Sequence, residues 1–220
     1  MAAMLSRGEK GSKPLEQSYF SVSRYFDTWV RLMEIRTRTM EAEDSAHLQG
    51  ARVLIISPPT DAGIPLLVRA NRTCQTRLLC FSERLGRIAA TYAKKHRVNE
   101  VLDISVAPFF RLPFPDGEFA AIYANCFLDF CHEGDLDAIF DEMHRALGIN
   151  GSLFAAYMGH SNKFPARGWT WAFRRCGFIS QGCHPVSVGP YLSRHGFSVR
   201  RDLSASRLGF PLRYTLAEKQ

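Results

Sequence analysis

Between residues 51 and 158, short β-branched apolar runs alternate with amphipathic stretches. That alternation restricts the chain to a parallel sheet joined by helical crossovers, because parallel neighbours cannot be linked by tight hairpins. Residues 51–57 (ARVLIIS), 77–81, 101–105, 119–126 and 152–158 read as strands. Helices are expected over 62–70, capped by Asp61, over 83–96, capped by Ser82, and over 135–147, with Leu136, Ile139, Phe140 and Met143 on one face. Asn150–Gly151 reads as the stop signal after the last of these. Right-handed crossovers place helices on both faces of the sheet. A short helix is expected over 188–195. Strands over 197–203 and 212–217, with a turn at 208–211, read as a closing antiparallel hairpin.

The fold expected is therefore α/β: a Rossmann-like, mostly parallel sheet ending in an antiparallel hairpin. Three segments follow from the pattern: a polar tail (1–18), an N-terminal helical cap (19–48) and the main domain (49–220). In the cap Val22, Phe26, Trp29, Val30, Met33 and Met40 recur at three- and four-residue steps, with no Gly or Pro among them. With 46% hydrophobic residues in 220, the chain can bury a core, which excludes wholesale disorder. No stretch of about 18 residues lacks charge, and the first residues hold no apolar signal region. A cytoplasmic location is the expectation.

The six cysteines (74, 80, 126, 131, 176 and 183) form no CxxC pair and several sit in apolar runs. They read as reduced side chains, most of them in the core, rather than metal ligands, with Cys131–His132 and Cys183–His184 as the suggestive neighbours. The net charge of +7 is uneven: residues 159–220 hold 10 of the 28 Lys and Arg but 2 of the 21 acids. An anionic surface, an acidic ligand or a partner protein near this basic C-terminal segment is one reading, and a solvated basic face is the other.

Four phrases carry a family resemblance. LPFPDGEFA (112–120) and DEMHRALGINGSLF (141–154) resemble consecutive phrases of class I S-adenosylmethionine-dependent methyltransferases, in particular the ubiquinone/menaquinone C-methyltransferase-like branch. SERLGRIAATYA after the second strand is similar to that family's second helix, and the strands after YLSRHGF are similar to its final two. The resemblance implies a seven-stranded sheet, parallel except for its last strand. It also implies S-adenosyl-L-methionine as cofactor, held by the loops after Ser57, Phe81, Ser105 and Cys126, at the carboxyl ends of the strands.

The cofactor motifs depart from that pattern. The family's first strand ends in an acid followed by a Gly-x-Gly-x-Gly turn, whose backbone can approach the methionyl part. Here Ile55 stands at the acidic position, and Ser57, Pro59 and Asp61 at the three glycines, leaving Gly63 nearby. Cys80 stands where a carboxylate would grip the ribose, with Glu83 as substitute; Asp103 is the nearest acid for the adenine, and Ala120 replaces a further Asp. Ile55, Cys80, Phe109, Phe110 and Ala120 would line a more apolar pocket. The cofactor-binding candidates are thus Ser57, Thr60, Asp61, Gly63, Cys80, Glu83 and Asp103.

Methyl transfer asks chiefly for alignment, with a base only where the acceptor must lose a proton. Asn125, Asp129 and His132, after the fourth strand, are the candidate catalytic groups; solvation of Asp129 and His132 at a helix entry is the alternative. Tyr19, Tyr25 and Trp29 would cap the cleft or simply pack. GWTWAFRR (168–175) would hold an anionic acceptor or lie on a membrane surface; nucleic acid is disfavoured for want of a recognised motif. Two functions stay open: methyl transfer to a small acceptor, acidic or lipid-like, and a catalytically inactive methyltransferase-like protein acting as a binding or partner subunit. A dinucleotide oxidoreductase is disfavoured by the missing Gly-rich turn.

Overall fold

A computed structural model describes residues 16–108, 111–161, 165–175 and 182–220. Phe109, Phe110 and Cys176 lie outside them, as does most of the N-terminal tail. The seven strands are β1 (Arg52–Ile56), β2 (Gln75–Cys80), β3 (Leu102–Val106), β4 (Phe119–Asn125), β5 (Leu147–Met158), β6 (Phe197–Ser204) and β7 (Leu212–Lys219). They form one sheet in the order β3-β2-β1-β4-β5-β7-β6. Pairing is parallel from β3 to β5, and β7 runs antiparallel to both β5 and β6.

The central strands are buried because both faces are covered, so their sequences are continuous apolar runs rather than alternating ones. Val53, Leu54, Ile55, Leu78, Leu79, Ile122 and Phe154 are fully enclosed. The covering helices include α1 (Phe26–Trp29), α2 (Ile35–Asp44), α3 (Gly63–Ala70), α4 (Glu83–Lys95), α5 (Leu136–Ala146), α6 (Ala166–Arg175) and α7 (Gly189–Arg194). Ser82 caps α4 as expected, accepting the Leu85 N–H at 3.3 Å. Leu136, Ile139, Phe140 and Met143 are the buried face of α5.

The stop signal at Asn150–Gly151 is corrected by the structure. Helix α5 ends at Ala146 and β5 begins at once, so Asn150, at φ 59°, sits inside an irregular first part of that strand. The strand pairing shifts register there, between Phe119 and Ala121.

The cap does not lie across the domain as one regular helix. Residues 16–22 are helical, α1 follows after a turn, and a π-helical turn (Val30–Glu34) links α1 to α2. Tyr19 packs in the main core, while Val22, Phe26 and Val30 cluster with Ala62 and Cys126 at the carboxyl edge of the sheet. No described helix is long and apolar enough to cross a membrane.

Candidate functional site

The loops after β1 and β4 splay apart at the carboxyl edge of the sheet, the position at which open α/β sheets bind ligands. Helix α2 is laid into this opening. Its Arg38 has no exposed surface, although nothing in its charge favours burial. The guanidinium is held by Asp61, through Nε at 3.1 Å and Nη2 at 2.9 Å, and by Glu34 through Nη2 at 3.1 Å. Glu41 lies 3.8 Å from Nη1, and the Thr37 hydroxyl accepts from Nη1 at 3.1 Å. A buried cation without such partners would not persist in the interior.

The β1–α3 turn is consumed by the same arrangement. Pro58 and Pro59 have no N–H. The Asp61 N–H is spent on the Pro58 carbonyl, the Ile64 N–H on the Asp61 carbonyl and the Gly63 N–H on Asp61 Oδ1 at 2.6 Å. Gly63 is needed for close approach. A Cβ there would fall on Arg38 Cδ, with Cγ at 2.8 Å and Nε at 2.9 Å. A carboxylate from the chain thus occupies the N-terminus of α3, gripped by a backbone N–H and a guanidinium.

The β4 side is locked to the cap as well. Cys126 takes a left-handed conformation, φ 47°, rare for a non-glycine and worth about 1–2 kcal/mol of strain. Its carbonyl accepts from the Tyr19 hydroxyl at 3.0 Å, and its thiol donates to Glu34 at 2.8 Å. Asn125, also buried, donates to Glu41 at 2.8 Å. Burial pushes the Glu41 carboxyl up to about 7, against the pull of Arg38, and raises Glu34 too. Tyr19 also packs against Phe81 and Phe130, with Phe81 on Phe127, filling the space beyond β2 and β4 with rings.

Asp129 accepts from the Met158 N–H at 3.2 Å and the Cys183 thiol at 3.3 Å. Burial, with the nearby Glu34 charge, raises it to about 6. Its backbone carbonyl takes the His184 N–H, so the segment from Cys183 closes over β4 and β5. Trp29, Trp169 and Phe210 meet edge to face above Met33 and Met158, closing the remaining side.

Of the residues expected from sequence, Asp61 and Gly63 meet at Arg38 and Asn125 joins them through Glu41, while Ser57 is buried after β1 and Asp129 is buried under the segment from Cys183. Thr60 sits at the edge of the closed cleft, donating to the Ser23 carbonyl at 2.7 Å. Cys80 is buried at the end of β2, its thiol pushed up to about 12 by burial. Glu83 is exposed on the first turn of α4, and His132 is exposed, capping a short turn through Gly134. Asp103 lies near the start of β3, beside Arg77 and away from the carboxyl edge, as strand direction requires. Of the residues read as lining a more apolar pocket, Ile55 and Ala120 are corrected, since Ile55 is core and Ala120 lies near the opposite end of β4; Phe109 and Phe110 lie outside the described residues. Among the described residues no cluster of three metal-ligating side chains occurs.

Glu34, Arg38 and Glu41 were missed in the sequence. Their i, i+4, i+7 spacing puts them on one helix face, but the same pattern describes a solvated ion-paired face. Four of the ten C-terminal cations, singled out for a partner, find acids within the fold: Arg194–Asp137, Arg200–Glu218, Arg201–Asp44 and Arg213–Asp202.

A family model described as "Methyltransferase domain" matches residues 62–155, beginning just past the Pro-rich turn. Among solved structures, the [4+2]-cyclase SpnF is similar at 18% identity and a TM-score of 0.65, over 84% of this chain and 80% of that one. Geranyl diphosphate C-methyltransferase from Streptomyces coelicolor A3(2), solved with S-adenosyl-L-homocysteine, is 13% identical with a TM-score of 0.63, over 83% and 76%. An O-methyltransferase family 2 protein from Planctomyces limnophilus DSM 3776, in complex with apigenin, is 12% identical with a TM-score of 0.68, over 91% and 62%. No curated protein matches. These likenesses are of fold: the seven-stranded sheet is shared with methyltransferases and with a [4+2]-cyclase, so the fold does not choose the reaction.

As folded, the residues do not fit S-adenosylmethionine. Its usual seat at the β1–α3 turn holds Arg38 and Asp61, and the N–H groups of Asp61, Gly63 and Ile64 are already paired within the turn.

Proposed function

We propose that the chain is a methyltransferase of small acceptors that is latched shut by its own cap, so that S-adenosylmethionine enters only when α2 withdraws from the cleft. The observation that carries this is the Arg38–Asp61 pair, where a side-chain carboxylate takes the anion seat at the head of α3. The fold and the domain match over 62–155 support methyl transfer as the activity. An acidic or lipid-like acceptor is the class we favour. The withdrawn cap would uncover Asn125, which Glu41 now holds, beside the vacated seat, with Asp129 the nearby carboxylate to take a proton from the acceptor.

A second reading is a methyltransferase-like binding subunit that never opens. It is favoured by Pro58 and Pro59, which remove two donors whatever the cap does.

Calorimetric titration with S-adenosylhomocysteine separates the two, using the wild type and the double variant Arg38→Met with Asp61→Gly. The latched enzyme predicts weak or absent binding to the wild type and at least about tenfold tighter binding to the variant, a difference of about 1.4 kcal/mol. A folded variant that still gives no heat leaves the binding-subunit reading. Micromolar binding to the wild type would refute the latch while keeping methyl transfer.

A further inference from the structure

Outside the closed cleft, a groove of about 530 Å³ runs between the cap and the outer face of α4. Positions 84, 87, 88 and 95 of that helix follow the three- and four-residue spacing of one face. Phe20, Ile88 and Tyr92 give the groove an apolar floor, while Arg84, Arg87 and Lys95 stand along it. The Arg84 guanidinium lies 3.3 Å from the centre of the Phe20 ring, turning its charge toward the floor. Among the described residues, the groove is lined by no carboxylate. Behind the lining, Asp27 accepts from the Tyr92 hydroxyl and is itself paired with Arg31.

We infer that this groove is a binding site for an amphiphilic anion, a phosphate monoester head on an apolar chain. The shape and charge argue for both halves. Three cations without lining acids favour a compact dianion, and arginine forks match phosphate oxygens in pairs. The aromatic and aliphatic floor offers nothing to an inorganic ion but would shelter a chain. The inference does not rest on methyl transfer. Of the cofactor candidates, Thr60 alone lines the groove.

The test is titration of the full chain with decyl phosphate, decanol and inorganic phosphate below the micelle concentration. Decyl phosphate is expected to bind at least about tenfold tighter than either half, with affinity falling as salt is added. Arg87→Gln with Lys95→Gln should weaken it about tenfold or more with an unchanged thermal midpoint, since both side chains are exposed. Ile88→Ser should weaken decyl phosphate but not the residual affinity for inorganic phosphate. Equal binding of decanol, or no effect of the paired Gln substitutions, would overturn the site. Binding to phosphatidate-containing vesicles without binding to monomeric decyl phosphate would overturn it too, because the surface would then be a membrane face rather than a groove for one molecule.

Discussion

Replacing Arg38 with Met removes the cation at the centre of the closed cleft while keeping much of its stem. Three carboxylates lose their partner: Asp61 at 2.9 Å, Glu34 at 3.1 Å and Glu41 at 3.8 Å. Breaking a buried pair on one side costs about 3–5 kcal/mol, because the remaining charge is left uncompensated. Asp61 keeps the Gly63 N–H, and Glu41, already raised to about 7, relieves part of the penalty by taking a proton. The net loss at pH 8 is therefore placed at about 3–5 kcal/mol, which lowers the thermal midpoint by about 6–20 °C for a chain of this length. Loss of the cation raises the proton affinity of the folded carboxylates above that of the unfolded chain. The variant must then recover stability as pH falls, with the deficit smallest near pH 5. Urea unfolding of both proteins at pH 5 and pH 8 measures this. A loss below about 1 kcal/mol at pH 8, or a deficit no smaller at pH 5, would mean that Arg38 is not seated among the acids, and the latch would fall with it.

Two further outcomes follow from the same cluster. Glu41 has a folded-state value near 7 against 4.5 for the free side chain, so the folded protein loses stability as pH rises from about 4.5 through 7, by up to about 3 kcal/mol. Glu41→Gln, which keeps an acceptor for Asn125, should flatten that part of the stability–pH curve in urea titrations; an unchanged slope would place the titration elsewhere. Gly63→Ala puts a methyl group on the Arg38 stem and should cost about 1–3 kcal/mol in the wild type, but about 1 kcal/mol less when Arg38 is already Ala. Strict additivity in that double-mutant cycle would show that the two residues do not touch.

The sheet was legible in the sequence because each buried parallel strand must be a short apolar run, and each crossover helix must show one apolar stripe. Residues 53–56, 78–80 and 121–124 satisfy the first condition, and the buried face of α5 the second. The Asn150–Gly151 signal misled because a left-handed residue serves an irregular strand as well as a helix end. Asp103 was misplaced because its strand begins, rather than ends, beside it.

The sequence also determined that the β1–α3 turn could not have the usual Gly-rich form, since two prolines and an aspartate stand in it. It could not determine what fills the space. Helix α2 reads as part of the amphipathic cap, with no role marked for its charges, because a Glu-Arg-Glu face has the same spacing whether its partner is water or the turn at Asp61. Only the tertiary structure decides between them. It brings residues 23 positions apart within hydrogen-bond distance and withdraws both from solvent. Solvation competes with pairing on the surface and loses in the interior, so the same three charges are a weak decoration in one setting and a latch in the other.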